Sequence, residues 1–310
     1  MAEKNKRMKI GAMPSIAERS LGAEAPRGRT PRYQDIQQMA QVAEQVGFDS
    51  FWLADHLLYQ FPELGRNGAW EVFTLLSGIA ATTSRIQLGP LVACTSFRNP
   101  ALLAKMADSL DEISDGRFIL ALGAGWHQPE YDAFGYPFDH RATRFEEALK
   151  IIVPLLREGK VDFQGKYYEA RECELRPRGP SRQGPPIWIG ADKPRMLRLV
   201  AQYADAWNTV WHISAEKVTS TYQSMLEACQ VVGRDPATLA LTAGAPARVL
   251  APGEARPHGG HCICGTAEEV AEAISGFASV GVEHLVVNIA PDDVAGVERF
   301  GKVIELLGKM

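Results

Sequence analysis

The chain has no run of about 18 consecutive apolar residues, so the usual signature of a membrane-spanning helix is missing. Its opening, MAEKNKRMKIGAMP, carries basic residues but only a short apolar stretch after them, unlike a secretory signal, and a cytoplasmic protein is expected. Cysteine is scarce: Cys94, Cys173, Cys229, Cys262 and Cys264 are odd in number and scattered apart from the last two. That argues against a disulfide framework and makes reduced thiols the default. An excess of one charge is also lacking. A net charge of −4 and a pI near 6.0 leave no electrostatic footprint for nucleic acid or an anionic membrane. No internal repeat, low-complexity tract or interdomain linker interrupts the chain.

What is present is material for a large core. With 310 residues, 46% of them hydrophobic, the length fits one α/β barrel of roughly 250 residues plus insertions as well as it fits two ordinary domains. Four stretches favour the barrel: FDSFWLADH (48–56), IQLGPLVACTSFRNP (86–100), RFILALGAGWHQPEY (117–131) and PIWIGADKPR (186–195). Each contains an apolar run of strand length, followed by a polar or glycine-rich turn and then a helix-period segment, as a parallel sheet buried on both faces requires.

Eight such units can be placed. Strands are expected at Met8–Met13, Ser50–Ala54, Ile86–Ala93, Arg117–Leu122, Ile187–Gly190, Ala206–Val210, Leu239–Ala243 and His284–Asn288. Helices are expected over Pro31–Val46, Glu71–Thr82, Pro100–Ile113, Ala142–Arg157, Pro194–Tyr203, Ala215–Val232, Ala267–Ser279 and Asp293–Leu307. Pro100 suits a first helical turn, where its missing N–H is not needed. Thr266 with Glu269 three residues later forms a capping-box start. The rhythm breaks at 158–185, where DFQGKYYEARECELRPRG reads as a hairpin turning at Gln164–Gly165 and then a Pro/Arg/Gly-rich linker. The fold class expected is α/β: a single (β/α)8 TIM barrel spanning 1–310, with this insertion after the fourth unit.

Chemistry in such a barrel gathers in the loops after the strands. Asp55 and His56 fall where the second strand ends, and a histidine there can give or take a proton near neutrality, because its unperturbed pKa is about 6.5. Otherwise His56 caps the strand end or orients Asp55. LGAGW (122–126) lacks the third glycine of a dinucleotide fingerprint and is not a Rossmann loop. Gly123 and Gly125, with Ala124 between them, instead let backbone approach a flat ring closely, and Trp126 offers a broad surface to substrate or cofactor. Backbone N–H groups of Gly190, Ala191, Asp192 and Lys193, ahead of a helix starting near Pro194, make an anion site together with the Lys193 ammonium. HGGHCIC (258–264) holds metal-capable side chains, but its spacing fits no zinc pattern, and a loop beside the barrel mouth is the better reading.

The ordered set ADH, LGPLVACTSFRNP, DEISDGRFILALGAGW, EYDAFGYPF followed by RFEEAL, and WIGA followed by YADAWN resembles the bacterial-luciferase-like flavin-dependent oxidoreductases across essentially Met8 to Gly308. The resemblance is greatest to the branch that uses the deazaflavin coenzyme F420. It implies that His56 lies near the reactive ring, and that Leu91–Val92 is a non-prolyl cis peptide supporting that ring, where periodicity alone gives an ordinary buried strand. It further implies that Ala54, Asp55, Gly123 to Gly125, Glu130, Arg144, Phe145 and Gly190 to Lys193 contact the cofactor. Arg144 could equally be a helix-surface partner of Glu146 or Glu147. Cys94 faces the substrate pocket or is a small buried thiol, the usual place for a free cysteine.

Three functions follow. The first is hydride transfer between F420 and a small alcohol, ketone or enone. The second is an FMN-dependent monooxygenase using dioxygen and reduced flavin from a separate reductase. The third is a non-catalytic flavin-binding homologue, against which Asp55, His56 and the intact glycine turn speak. The fold alone does not choose among them. Family habit implies a homodimer, for which the helix over Glu71–Thr82 could supply a face. The loops at 15–30, 57–69 and 248–265 are read as irregular, and Arg27, Arg29, Arg32 and Arg66 hint at an anionic group near the mouth or are simply solvated.

Overall fold

The computed structural model describes residues 7–18, 30–62, 65–257 and 259–310; Arg27, Arg29 and His258 lie outside the described residues. In chain order the elements are β1 (Lys9–Met13), α1 (Tyr33–Val46), β2 (Ser50–Leu53), β3 (Leu58–Phe61), β4 (Gly65–Gly68), α2 (Val72–Ala80), β5 (Gln87–Pro90), β6 (Ala93–Cys94) and α3 (Pro100–Ile113). Next come β7 (Leu120–Gly123), α4 (Gln128–Phe134), α5 (Arg141–Glu158), β8 (Lys160–Gln164), β9 (Glu169–Glu174), β10 (Ile187–Gly190), α6 (Pro194–Tyr203), β11 (Ala206–Thr209) and α7 (Ala215–Val232). The chain ends with β12 (Ala240–Val249), β13 (Ile263–Gly265), α8 (Ala267–Ser279), β14 (His284–Ala290) and α9 (Val294–Leu307).

The parallel strands run in the order β5-β2-β1-β14-β12-β11-β10-β7-β6. The ring closes because β5 and β6 are two pieces of one barrel strand, separated by a bulge at Leu91–Val92. Leu88 of β5 pairs with Phe118, just ahead of β7, while Ala93 and Cys94 of β6 pair with Leu122 and Gly123 of β7. The expected (β/α)8 barrel is therefore observed. Its strands are short and apolar on both faces, since one face meets the helices and the other fills the barrel.

The barrel floor is packed solid. Trp52 stacks on Trp188 with ring centroids 4.7 Å apart, and Trp188 meets the edge of His284 at 5.1 Å. The indole N–H of Trp52 donates to Ser50 Oγ at 2.6 Å, and that hydroxyl is hydrogen-bonded to His284 Nε2 at 2.7 Å. A Cβ on Gly89 would lie 2.4 Å from the Trp52 ring, so a glycine here is a volume requirement of the floor. Burial pushes the His284 imidazole down to about 3, which keeps it neutral.

Several helix boundaries follow from local chemistry. Asn99 caps α3 by accepting from the N–H groups of Ala101 and Leu102, with Pro100 in the first turn. Thr266 and Glu269 form the expected capping box of α8. Other expectations need correction. The hairpin of the insertion is present as β8–β9, but its turn spans 165–168. There the Glu147 carboxylate accepts the N–H groups of Lys166, Tyr167 and Tyr168 and so fixes the loop. The segment read as an irregular loop at 57–69 contains the antiparallel pair β3–β4. The seventh barrel strand, β12, runs on to Val249 because β13 and β14 pair with its far end. Among the described residues no helix is long and apolar enough to cross a membrane.

Candidate active site

All the barrel strands point their C-terminal ends to one side, and the side chains of interest emerge there. Asp55 and His56 follow β2 and have divergent surroundings. Asp55 is buried, and both its oxygens are taken: Oδ2 accepts the Cys94 N–H at 2.8 Å and Arg98 Nη1 at 2.6 Å, and Oδ1 accepts Arg98 Nη2 at 3.0 Å. A carboxylate so engaged is an anchor for the strand end, which leaves His56 and not Asp55, of the two candidates for a catalytic role, as the group able to exchange a proton.

His56 keeps one nitrogen open. Its Nδ1 lies 3.0 Å from Glu130 Oε1, and Glu130 Oε2 accepts the Leu57 N–H at 3.0 Å. Glu130 sits in the first turn of α4, where the helix dipole favours negative charge, and it is 1% exposed. A carboxylate oxygen acts here as the acceptor, which places a ring proton on Nδ1 and leaves Nε2 as the nitrogen that can exchange one. Among the described residues Nε2 makes no hydrogen bond. Glu130, expected at the cofactor, is thus the residue that sets the His56 tautomer.

Around His56 stands an aromatic wall. Tyr59 lies 4.4 Å from the imidazole and Trp126 meets it edge-on at 5.6 Å, while Phe61 stacks on Trp126 at 6.5 Å. Trp126 is 57% exposed and so offers an indole face to a bound molecule. Beneath the wall, His127 Nε2 accepts the Gln60 N–H at 2.9 Å, and burial pushes its imidazole below the ordinary range. Burial and the negative Glu130 and Asp55 hold the Tyr59 phenol protonated.

At the same end of the barrel the chain bulges between β5 and β6 to form a ledge. The Leu91–Val92 peptide is cis, as the family resemblance implies. A Cβ on Gly123 would sit 2.4 Å from Val92 Cγ2, and one on Gly190 3.2 Å from Val92 Cγ1. Glycine at these two strand ends is what lets Val92 occupy its place. Gly125 has φ +73°, and a side chain there would strike the Tyr131 hydroxyl. The carbonyl of Gly125 accepts from Arg141 Nη1 at 2.6 Å, and that of Ala124 accepts the Tyr131 hydroxyl at 2.9 Å, fixing the turn. Val92 and the glycine ends bring an apolar side chain and bare backbone together, which suits one face of a planar ring.

The remaining expected residues are divided between the core and the rim. Leu91 is packed beneath the ledge with Trp52 and Ile119, and the half-buried Ala54 and Val92 pack against the same cluster. Cys94 is buried against the Tyr131 hydroxyl at 3.0 Å, and burial raises its thiol to about 12, so the inert buried thiol is the correct alternative. Phe145 is wholly buried in the main core and does not reach the mouth. Arg144 pairs with neither Glu146 nor Glu147; it bonds Asp139 and lies over the Tyr167 ring at 4.2 Å. Gly190 and Ala191 end β10, and the Ala191 carbonyl accepts the Trp207 indole N–H at 2.9 Å. Asp192 and Lys193 are exposed and paired with each other at 3.2 Å. Lys193 is the residue before α6 and makes no side-chain cap, so that helix end retains its uncapped N–H groups. Arg66 donates to Gln60. Among the described residues no group of three His, Cys, Asp or Glu side chains is arranged to hold a metal ion.

The sequence reading passed over Arg98, Tyr59, Phe61, His127 and Arg141. Arg98 lies inside a motif already quoted, and its RNP context marks a strand-to-helix turn. The others become visible only once β3–β4, α4 and the start of α5 are folded against the mouth.

Residues 8–256 match the family model described as luciferase-like monooxygenase. The chain belongs to the luciferase-like monooxygenase family. On that ground it is an oxidoreductase. It is 36% identical over 217 residues to a protein named pyrimidine monooxygenase RutA from Pseudomonas syringae pv. syringae (strain B728a), a match covering 66% of this chain and 58% of the relative. The chain therefore spans little more than half the length of that relative. In structure it is similar to an F420-dependent secondary alcohol dehydrogenase in complex with an F420-acetone adduct, with a TM-score of 0.79, 21% identity, and 97% of this chain and 99% of the other covered. It is equally similar to the EDTA monooxygenase EmoA from Chelativorans sp. BNC1, with a TM-score of 0.80, 16% identity, and 98% and 94% covered. At such identities these likenesses establish the fold and leave the cofactor open.

Proposed function

We propose that this protein is a flavin-dependent monooxygenase that holds reduced FMN against the Val92 ledge and oxidises a small planar ring compound of the pyrimidine type. This replaces F420 hydride transfer as the favoured reading. The 36% identity to a pyrimidine monooxygenase extends over 217 residues, whereas the likeness to the F420 enzyme is one of fold. The observation that carries the proposal is the His56–Glu130 pair, which follows β2 at the same C-terminal barrel end where Val92 fills the space left by Gly123 and Gly190.

The residues present fit the cofactor. Val92, flanked by Gly123 and Gly190, would support one face of the ring system, and Ala54 and the turn at Ala124–Gly125 would border it. The start of α6, with Lys193, would take the phosphate, because uncapped helical N–H groups and an ammonium both favour an anion. Reduced FMN, when bound, supplies the electrons that let one atom of dioxygen enter the substrate while the other leaves as water.

The chain's own groups do the rest. His56 Nε2 takes or returns the accompanying proton, and Glu130 stabilises the imidazolium while holding the ring in place. Trp126 and Phe61 offer stacking surface to a flat substrate and exclude water from one side of the site. Reduced flavin would come from a separate reductase, and the assembly would be a homodimer in solution.

Turnover with chemically reduced FMN, uracil and isotopically labelled dioxygen tests the proposal. One labelled oxygen atom in the organic product is expected. Anaerobic oxidation of a secondary alcohol with F420, and no oxygen incorporation, would return the activity to hydride transfer.

A further inference from the structure

We infer that Arg98 is a positioning residue, which holds the end of β2 that carries His56 and the bulge that presents Val92 in one geometry. The inference deepens the flavin reading of the mouth and rests on it. The Arg98 side chain is 8% exposed, and its guanidinium lies over the Phe73 ring at 4.7 Å from the centroid. Its fork meets Asp55 with two parallel bonds of 2.6 and 3.0 Å, and Nη2 also donates to Glu71 Oε1 at 2.5 Å. Both partners are structural junctions. Asp55 precedes His56 and accepts the N–H of Cys94, which resumes the barrel strand after the Leu91–Val92 bulge. Glu71 caps α2 by accepting from Phe73 at 3.2 Å and Thr74 at 2.7 Å.

One cation therefore ties three chain segments at the mouth: the end of β2, the return from the bulge and the start of α2. Burial works against its charge, but Asp55 and Glu71 more than offset this and hold the guanidinium above its ordinary range. Lysine cannot substitute. A single ammonium lacks the planar fork that satisfies a bidentate carboxylate and a second carboxylate at once. Nothing in this arrangement brings Arg98 to the substrate. Its effect is carried by where it keeps Asp55 and Cys94, and through them the ledge and His56.

The test is Arg98→Lys, with hydrogen exchange measured on the protein free of cofactor, followed by FMN titration and steady-state kinetics. Exchange across 91–97 should accelerate by about tenfold or more while β12 and β14 stay at wild-type protection, as expected of local opening. The visible band of bound FMN should change shape, and kcat should fall by about tenfold or more with the substrate KM within about threefold, the pattern of a misplaced reacting group. Wild-type exchange, flavin spectrum and kcat in the variant would overturn the proposal, as would acceleration spread evenly through the barrel. Should Arg98→Lys not fold, Glu71→Gln removes one arm from a more exposed position and should give the same local change about threefold in size; no change there overturns it as well. The exchange measurement needs no cofactor, so it stands apart from the FMN assignment: a wild-type protein that binds no flavin would refute that assignment and leave this result readable.

Discussion

The two ends of this barrel each hold a histidine, and the comparison shows how surroundings divide structure from chemistry. His284 at the floor is 4% exposed, bonds a neutral serine hydroxyl and is enclosed by two tryptophans. His56 at the mouth bonds a carboxylate, keeps its second nitrogen open and borders an exposed indole. Burial without a charged partner suppresses protonation of the first ring. A carboxylate on Nδ1 and access at Nε2 equip the second to exchange protons. The same contrast holds for the glycines. Gly11 and Gly89 make way for floor side chains, whereas Gly123 and Gly190 make way for Val92 and a flat surface.

The comparison breaks if either end behaves like the other. The largest effect expected is at the floor: Trp52→Ala should cost about 3–5 kcal/mol, read as a fall in denaturation midpoint, because a large buried ring leaves a cavity. Specific activity per folded molecule should stay near wild type. At the mouth, His56→Ala should lower turnover by about 10²-fold, near 2.7 kcal/mol of barrier, with FMN affinity within a few-fold and the melting temperature unchanged. Unchanged turnover would remove His56 from the chemistry.

Acid provides a third separation. The folded His284 titrates at about 3, below the ordinary histidine value of 6.5, so the unfolded chain binds more protons between those limits and stability rises with pH. The stabilisation is present above about pH 6.5 and is lost as pH falls towards 3, by up to about 1.4 kcal/mol per pH unit. His127 and His212, also lowered by burial, act with the same sign. Denaturation midpoints between pH 4 and 8 should show this slope, and it should flatten in His284→Gln. The smallest effect is Lys193→Ala, which should weaken FMN by about 1 kcal/mol, because the exposed ammonium is screened and shared with Asp192. Equal affinity for riboflavin in the variant and the wild type would place the loss at the phosphate.

Much of the barrel was legible because its signals are local. Apolar strand runs, Pro100 behind an asparagine cap and the Thr266–Glu269 box each act within a few residues. The hairpin at β3–β4 was hidden because its second strand, GRNG, has no apolar alternation and is held by β3 and by the distant Glu18. The site was legible in part: ADH marked His56 and the glycine turns marked the ledge. The link between His56 and Glu130 spans 74 residues, and no spacing rule announces it. Phe145 was misplaced for the opposite reason. Its neighbour Arg144 faces the rim, and one step along a helix turns a side chain by about 100°, here into the core.

The measurement that bears most directly on the central claim is a fluorescence titration of the purified protein with reduced FMN, oxidised FMN and F420, in the wild type and in Gly123→Val. Micromolar or tighter binding of reduced FMN by the wild type, lost when a side chain displaces Val92 from the ledge, is the predicted result. Preferential binding of F420, or FMN affinity indifferent to the substitution, would contradict it.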